Sequence, residues 1–313
     1  MSATPVQIHL SNAPRPTGMI EPKHERARRA LIALRAGRLR DVREHIDALP
    51  VRTSMDCGWK FLLASLLAAE QGDLTAAKML LLDAATALAP SDLEDPKEVE
   101  ETDSQEKRLA ALVHEKLGWV HRHQDRPDEA RDFHMRAFQM RKQHGSLEEL
   151  WETACSLGLD ADLAGHDGDA QAWHLFALGI AKQVAEEPDK KQAVAWANLS
   201  RSFQRAGMQN RAVEAARNSR DKWLAHDPGH INTPRAELHL GHTILKLAEG
   251  LMDRDPKRTA GLLDEAILSF DSALEALLAF GPQAAADSRW SADQGDFARR
   301  LRETLGLPPQ GAQ

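Results

Sequence analysis

Apolar and small residues recur along the chain at helical spacing, in segments broken by short polar stretches rich in Gly, Pro and Asp. Ala27, Ala30, Leu31 and Leu34 form one such face, and Leu39, Val42, Ile46 and Leu49 a second, with Gly37 as the turn between them. The same alternation then predicts helix pairs over 59–70 and 74–88, 106–123 and 127–144, 147–163 and 169–184, 192–205 and 211–224, and 236–248 with 261–278. Small residues mark the first helix of each pair at Ser65, Gly118, Gly158, Ser200 and Gly241, spaced 53, 40, 42 and 41 residues. Alanines mark the second helix at Ala77, Ala130, Ala170, Ala212 and Ala266, spaced 53, 40, 42 and 54. Small side chains let two helices approach closely, and a recurrence near 40 residues marks a stacked helical repeat. The expected fold class is therefore all-α, a solenoid of antiparallel helix hairpins.

Around this core the pattern predicts a flexible tail over 1–20, a degenerate helical hairpin over 21–50, the solenoid over 56–280 and a capping helix over 289–306. Two spacings exceed the period. Residues 91–104 carry seven acidic side chains and account for the first as an insertion. Asp253, Asp255 and Pro256 place a second insertion, over 249–260, inside the last hairpin.

The absence of tyrosine and an aromatic content of 5% argue against a sheet-rich core, while 42% hydrophobic residues suffice for a helical one. A net charge of −7 gives no global attraction to nucleic acid or an anionic membrane. Against that background, 23–43 is a local exception with eight Lys or Arg. Cys57 and Cys155 are isolated, neither a disulfide framework nor a metal-ligand pattern, and fit a reducing compartment. No apolar run approaches the ~20 residues of a membrane helix, so a cytoplasmic location without membrane insertion is expected.

Trp196, Leu199, Ser200 and Phe203, followed by Gly207 and Ala212, resemble the helix pair of the tetratricopeptide repeat family. Leu117, Gly118, Ala130 and Ala137 resemble it too, as do Leu157, Gly158, Gly165, Ala170 and Ala177, and Leu240, Gly241, Ala266, Phe270 and Ala273. The period near 40 is that of long-helix members, and also leaves a HEAT-like reading open. The resemblance implies a right-handed α-α superhelix whose first helices line a concave groove. In that register Lys116, Trp119, Arg122, His123, Asn198, Arg201, Arg205, His239, His242 and Lys246 are the candidate groove residues. The strip is basic although the protein is acidic, which favours an acidic peptide or a C-terminal carboxylate.

No phosphate loop, nucleophile elbow or dinucleotide fingerprint occurs, and His24-Glu25 and His114-Glu115 lack the second histidine of a zincin helix. His166-Asp167 and His226-Asp227 read as turn residues. The sequence thus predicts a non-catalytic interaction scaffold with no cofactor and no metal, binding a protein or peptide. Two alternatives stand beside it: a self-assembling structural or regulatory protein, hence a homo-oligomer, and an RNA- or DNA-associated factor using the basic hairpin 23–43.

Overall fold

The computed structural model describes residues 18–89 and 100–306. Among them all regular structure is helical, and the chain divides into two compact units, 1–166 and 167–313. The tail expected over 1–20 and the acidic stretch over 91–104 lie mostly outside the described residues.

The first unit holds α1 (Glu25–Arg35), α2 (Leu39–Asp47), α3 (Ser54–Glu70), α4 (Leu74–Ala87), α5 (Glu100–His123), α6 (Pro127–His144) and α7 (Leu147–Leu163). Helices α1 and α2, α3 and α4, and α5 and α6 pack as antiparallel pairs, with α7 against α6. The second unit holds α8 (Asp167–Ala181), α9 (Pro188–Arg205), α10 (Gln209–His226), α11 (Asn232–Leu251), α12 (Pro256–Leu278) and α13 (Ala285–Thr304). Here α9 pairs with α10 and α11 with α12, while α13 lies on α12.

Local chemistry sets the helix limits. The side chains of Thr53, Asp73, Ser146 and Asp255 accept backbone N–H bonds at the starts of α3, α4, α7 and α12. Pro127, Pro188 and Pro256 occupy first-turn positions, where a missing N–H costs nothing. Over 249–260 the extra length lies in the helices and a short turn: α11 runs on to Leu251, and Asp255 with Pro256 starts α12 four residues later. Five helices end in one device, a left-handed residue whose successor donates its N–H to the carbonyl five residues back. The left-handed residues are Gly37, Gly72, Asp125, Gly165 and Gly207, and the bonds are Arg38 to Ala33, Asp73 to Ala68, Arg126 to His121, His166 to Ala161 and Met208 to Phe203, at 2.8–3.1 Å.

The marker alanines Ala77, Ala130, Ala170, Ala212 and Ala266 are all buried. Their small partners do the expected work. A Cβ at Gly118 would come within 2.5 Å of the His134 ring on α6, and one at Gly241 within 3.0 Å of Phe270 on α12. The Ser200 hydroxyl reaches across to the Ala212 carbonyl at 2.9 Å.

Between α5, α6 and α7 the first unit also buries charge. Arg108 makes a two-pronged pair with Glu149 (3.1 and 3.0 Å), whose carboxylate further accepts the N–H groups of Ile20 (3.0 Å) and Ser146 (2.9 Å). Arg108 also donates to the Gly18 carbonyl at 2.9 Å, so the last residues of the expected tail are fastened to the core, with Ile20 buried. Arg141 donates to Glu115, to the Glu149 carbonyl (2.9 Å) and to Thr153 Oγ1 (2.6 Å). Burial opposes ionisation of Glu115, but Arg141, Lys116 and His134 outweigh it and hold the carboxyl at about 2. Glu152 shifts the other way: burial and then the charge of Glu115 push it up to about 7, against the opposing pull of Arg141 and Lys116.

Two predictions follow from packing and charge. Gly118→Ala forces Cβ into the buried His134 ring and lowers stability by about 1–3 kcal/mol. Gly179→Ala, with nothing within 4 Å, raises it by about 0.5–1 kcal/mol; denaturant titrations of both variants check the contrast. The unfolded chain ionises Glu152 near 4.5 and the folded chain only near 7, so stability falls as pH rises through that window and levels off above it. Glu152→Gln removes this fall. Its melting temperature exceeds the wild-type value by a few degrees at pH 8 and converges with it below pH 4.5.

Candidate functional site

The candidate groove residues fall in both units. In the first, Lys116 and Trp119 line a crevice of about 140 Å³ with apolar walls from Leu34, Leu66, Leu81 and Val120. Lys116 is paired with Glu115 at 3.1 Å. The Trp119 and His123 rings lie 3.9 Å apart, and His123 Nδ1 is bonded to the Trp119 carbonyl at 2.9 Å. Arg122 is committed to holding α5 against α7: Nε donates to Asp160 Oδ1 at 2.6 Å and Nη2 to the Ser156 carbonyl at 2.9 Å. His134 Nδ1 bonds the other Asp160 oxygen at 2.5 Å, so α6 joins the same buried junction.

In the second unit the helical periodicity of α9 and α11 brings Arg201, Arg205, His242 and Lys246 to the wall of one open cavity of about 380 Å³, with Gln204 and Gln209 completing it. Asn198 and His239 sit behind this wall. Asn198 is buried, and its Oδ1 accepts from Arg201 Nη1 at 3.3 Å, which orients the guanidinium. His239 Nε2 meets Ser200 Oγ at 3.0 Å; because that hydroxyl donates onward to Ala212, the imidazole is the donor. Gln204 Nε2 donates to Thr243 Oγ1 at 2.9 Å, leaving its carbonyl oxygen for the cavity.

Both histidines are neutral at physiological pH. Burial, followed by the charge of Arg201 and the neighbouring His242, pushes His239 down to about 3. Burial likewise lowers His242, with Lys246 adding to it against the opposing Gln294 and Glu249. The positive charge of the cavity therefore rests on Arg201, Arg205 and Lys246, offset in part by Glu249, 2.8 Å from Lys246. Acceptors stand among these donors. The Gln204 carbonyl oxygen is one, and His242 Nε2 is another, because His242 Nδ1 bonds Gln294 Oε1 at 3.3 Å. A ligand that presents both a carboxylate and N–H donors matches this set, as a peptide terminus does.

Trp290, Gln294 and Gln209 did not emerge from the repeat register. Trp290 is 40% exposed, with its ring 5.2 Å from that of His242. Trp290, Gln294, Phe297 and Leu301 fall along one side of α13 at helical spacing, next to its buried face of Ser288, Ser291, Gly295 and Ala298. On the hairpin 23–43, Arg28 and Arg29 pair with Glu25, and Arg38 with Asp41, so part of its charge is balanced locally. Among the described residues no group of three or more His, Cys, Asp or Glu is placed to hold a metal ion, and no helix is long and apolar enough to cross a membrane. Burial raises the Cys155 thiol far above its ordinary value, which makes it unreactive.

No family model matches the chain, and no curated protein does. Solved structures do match in fold. BtubC from P. vanneervenii is 15% identical with a TM-score of 0.51, covering 93% of this chain and 98% of its own. A Rap protein complexed with Competence and Sporulation Factor is 12% identical with a TM-score of 0.51, covering 92% and 89%. NprR in complex with its cognate peptide NprX is 13% identical with a TM-score of 0.52, covering 92% and 73%. At these identities the likeness is one of architecture, and the chain has a TPR-like helical-repeat fold.

Proposed function

We propose that this protein is a non-catalytic scaffold that holds an acidic peptide or protein segment, with a ligand carboxylate seated against Arg201, Arg205 and Lys246. The observation that carries the reading is the convergence of these three cations, from successive first helices of the repeat, on one concave cavity in a protein of net charge −7. The interleaved acceptors, Gln204 Oε1 and His242 Nε2, suit the N–H groups of a peptide main chain. Trp290 beside His242 offers a rigid apolar surface for a neighbouring ligand side chain. NprR, of like fold, binds a cognate peptide, which fits a scaffold of this kind. The repeat belongs, on this reading, to the long-period branch of the tetratricopeptide family, acting in the cytoplasm.

Fluorescence anisotropy with labelled hexapeptides ending in Glu-Asp, with a free or an amidated C-terminus, tests the proposal. Wild type binds the free-acid peptide at least tenfold more tightly than the amide, and Arg201→Glu with Arg205→Glu abolishes the difference. Affinity stays flat from pH 7 to 8, because arginine and lysine carry the charge and His239, pushed down to about 3, and the lowered His242 are neutral there. Equal binding by wild type and the double variant overturns the assignment.

A further inference from the structure

Residues 18–22 lie outside any helix, yet they sit on the first unit as a bound peptide would. Burial alternates along them: Met19 and Glu21 are exposed, Ile20 and Pro22 buried. Such alternation marks an extended segment lying on a surface. Gly18, at its start, has a φ of 67°, in the left-handed region that favours glycine. Among the described residues the main chain of 18–22 bonds no other main-chain group. Side chains of the helices hold it instead.

Arg108 on α5 donates from Nη2 to the Gly18 carbonyl at 2.9 Å, and Glu149 in the first turn of α7 accepts the Ile20 N–H at 3.0 Å. Both side chains are almost wholly buried, 6% and 1% exposed. Their geometry is fixed without the segment, because Glu149 is also held by two Arg108 nitrogens and by the Ser146 N–H of its own capping box. A donor and an acceptor set in advance at this spacing recognise a main chain, and need little reordering when a segment arrives. The side chain is read separately. Ile20 is 5% exposed and joins the apolar cluster that includes Trp59, Leu109 and Val113.

We propose that Arg108, Glu149 and this apolar cluster form a peptide site, filled in cis by the chain's own segment 18–20. Its ligand class is an extended segment with a glycine and, two residues on, an aliphatic side chain. When the segment leaves, Glu149 keeps its bonds to Arg108 and Ser146, so the site persists empty. A segment of the same pattern from another chain enters only then. The site is independent of the basic cavity of the second unit.

Calorimetric titration of the full chain with the acetylated, amidated peptide of residues 17–23 tests the site. Ile20→Asp places a charge where the apolar cluster stands, which expels the segment, and this variant takes up one peptide per chain. Wild type, its site filled, binds the peptide at least tenfold more weakly, and Ile20→Ala falls between the two. N-methylation of the peptide's isoleucine removes the N–H given to Glu149, and weakens binding to Ile20→Asp at least tenfold. Both variants keep the helical circular dichroism of wild type. Equal binding by wild type and the variants, no binding by either variant, undiminished binding of the N-methylated peptide, or loss of helical signal in both variants overturns the proposal.

Discussion

The structure depends on how closely the two helices of each pair approach. At Gly118 the α6 helix brings the His134 ring against bare backbone, and at Gly241 the α12 helix does the same with Phe270. Across from these positions stand alanines with essentially no exposed surface, so each of these hairpins is held by a side chain of one helix seated on the backbone of its partner. This explains why a chain with 5% aromatic residues and no tyrosine still packs: short side chains at fixed intervals replace large ones. It also fixes the direction in which α9 and α11 present Arg201, Arg205, His242 and Lys246, because the opposite faces of those helices are spent on the contact.

Close packing leaves little room for solvent, and the first unit nevertheless encloses Arg108, Arg141, Glu115, Glu149 and Asp160. Each charge is met by an opposite charge or by several hydrogen bonds. Losing one partner of such a pair strands the other, at a cost of about 3–5 kcal/mol. The junction therefore enforces a single arrangement of α5, α6 and α7 more than it adds net stability. Glu152, beside it without comparable compensation, is the group through which pH reaches this region.

The periodic part of the fold was legible in the sequence because spacing alone encodes it. Helices α6 and α7 begin and end at the expected residues, since Pro127 and the Ser146–Glu149 capping box are local signals. Arg141 and Glu149 were not legible as interior groups: each looks like an ordinary helix-surface charge, and partners such as Glu115 and Arg108 lie 26 and 41 residues away. The same limit applied to the groove. The register put Arg122 in the same inward strip as Arg201, yet Asp160, on the next first helix, draws Arg122 inward, and nothing in the strip pattern announced it. Over 249–260 the long spacing is met largely by helix length, with Asp255 and Pro256 marking the opening of the 23-residue α12.

The repeated left-handed turn bears on how such a chain can change over time. Its closing bonds join main-chain groups, and the sequence requirement is one permissive residue, met by glycine four times and by Asp125 once. Together with a small residue on each helix, that is nearly all a hairpin must retain. Other positions are free to differ, which is how this chain shares its backbone architecture with proteins only 12–15% identical to it. The architecture is specified by a handful of steric permissions, and the residues outside them are left to be set by something other than the fold.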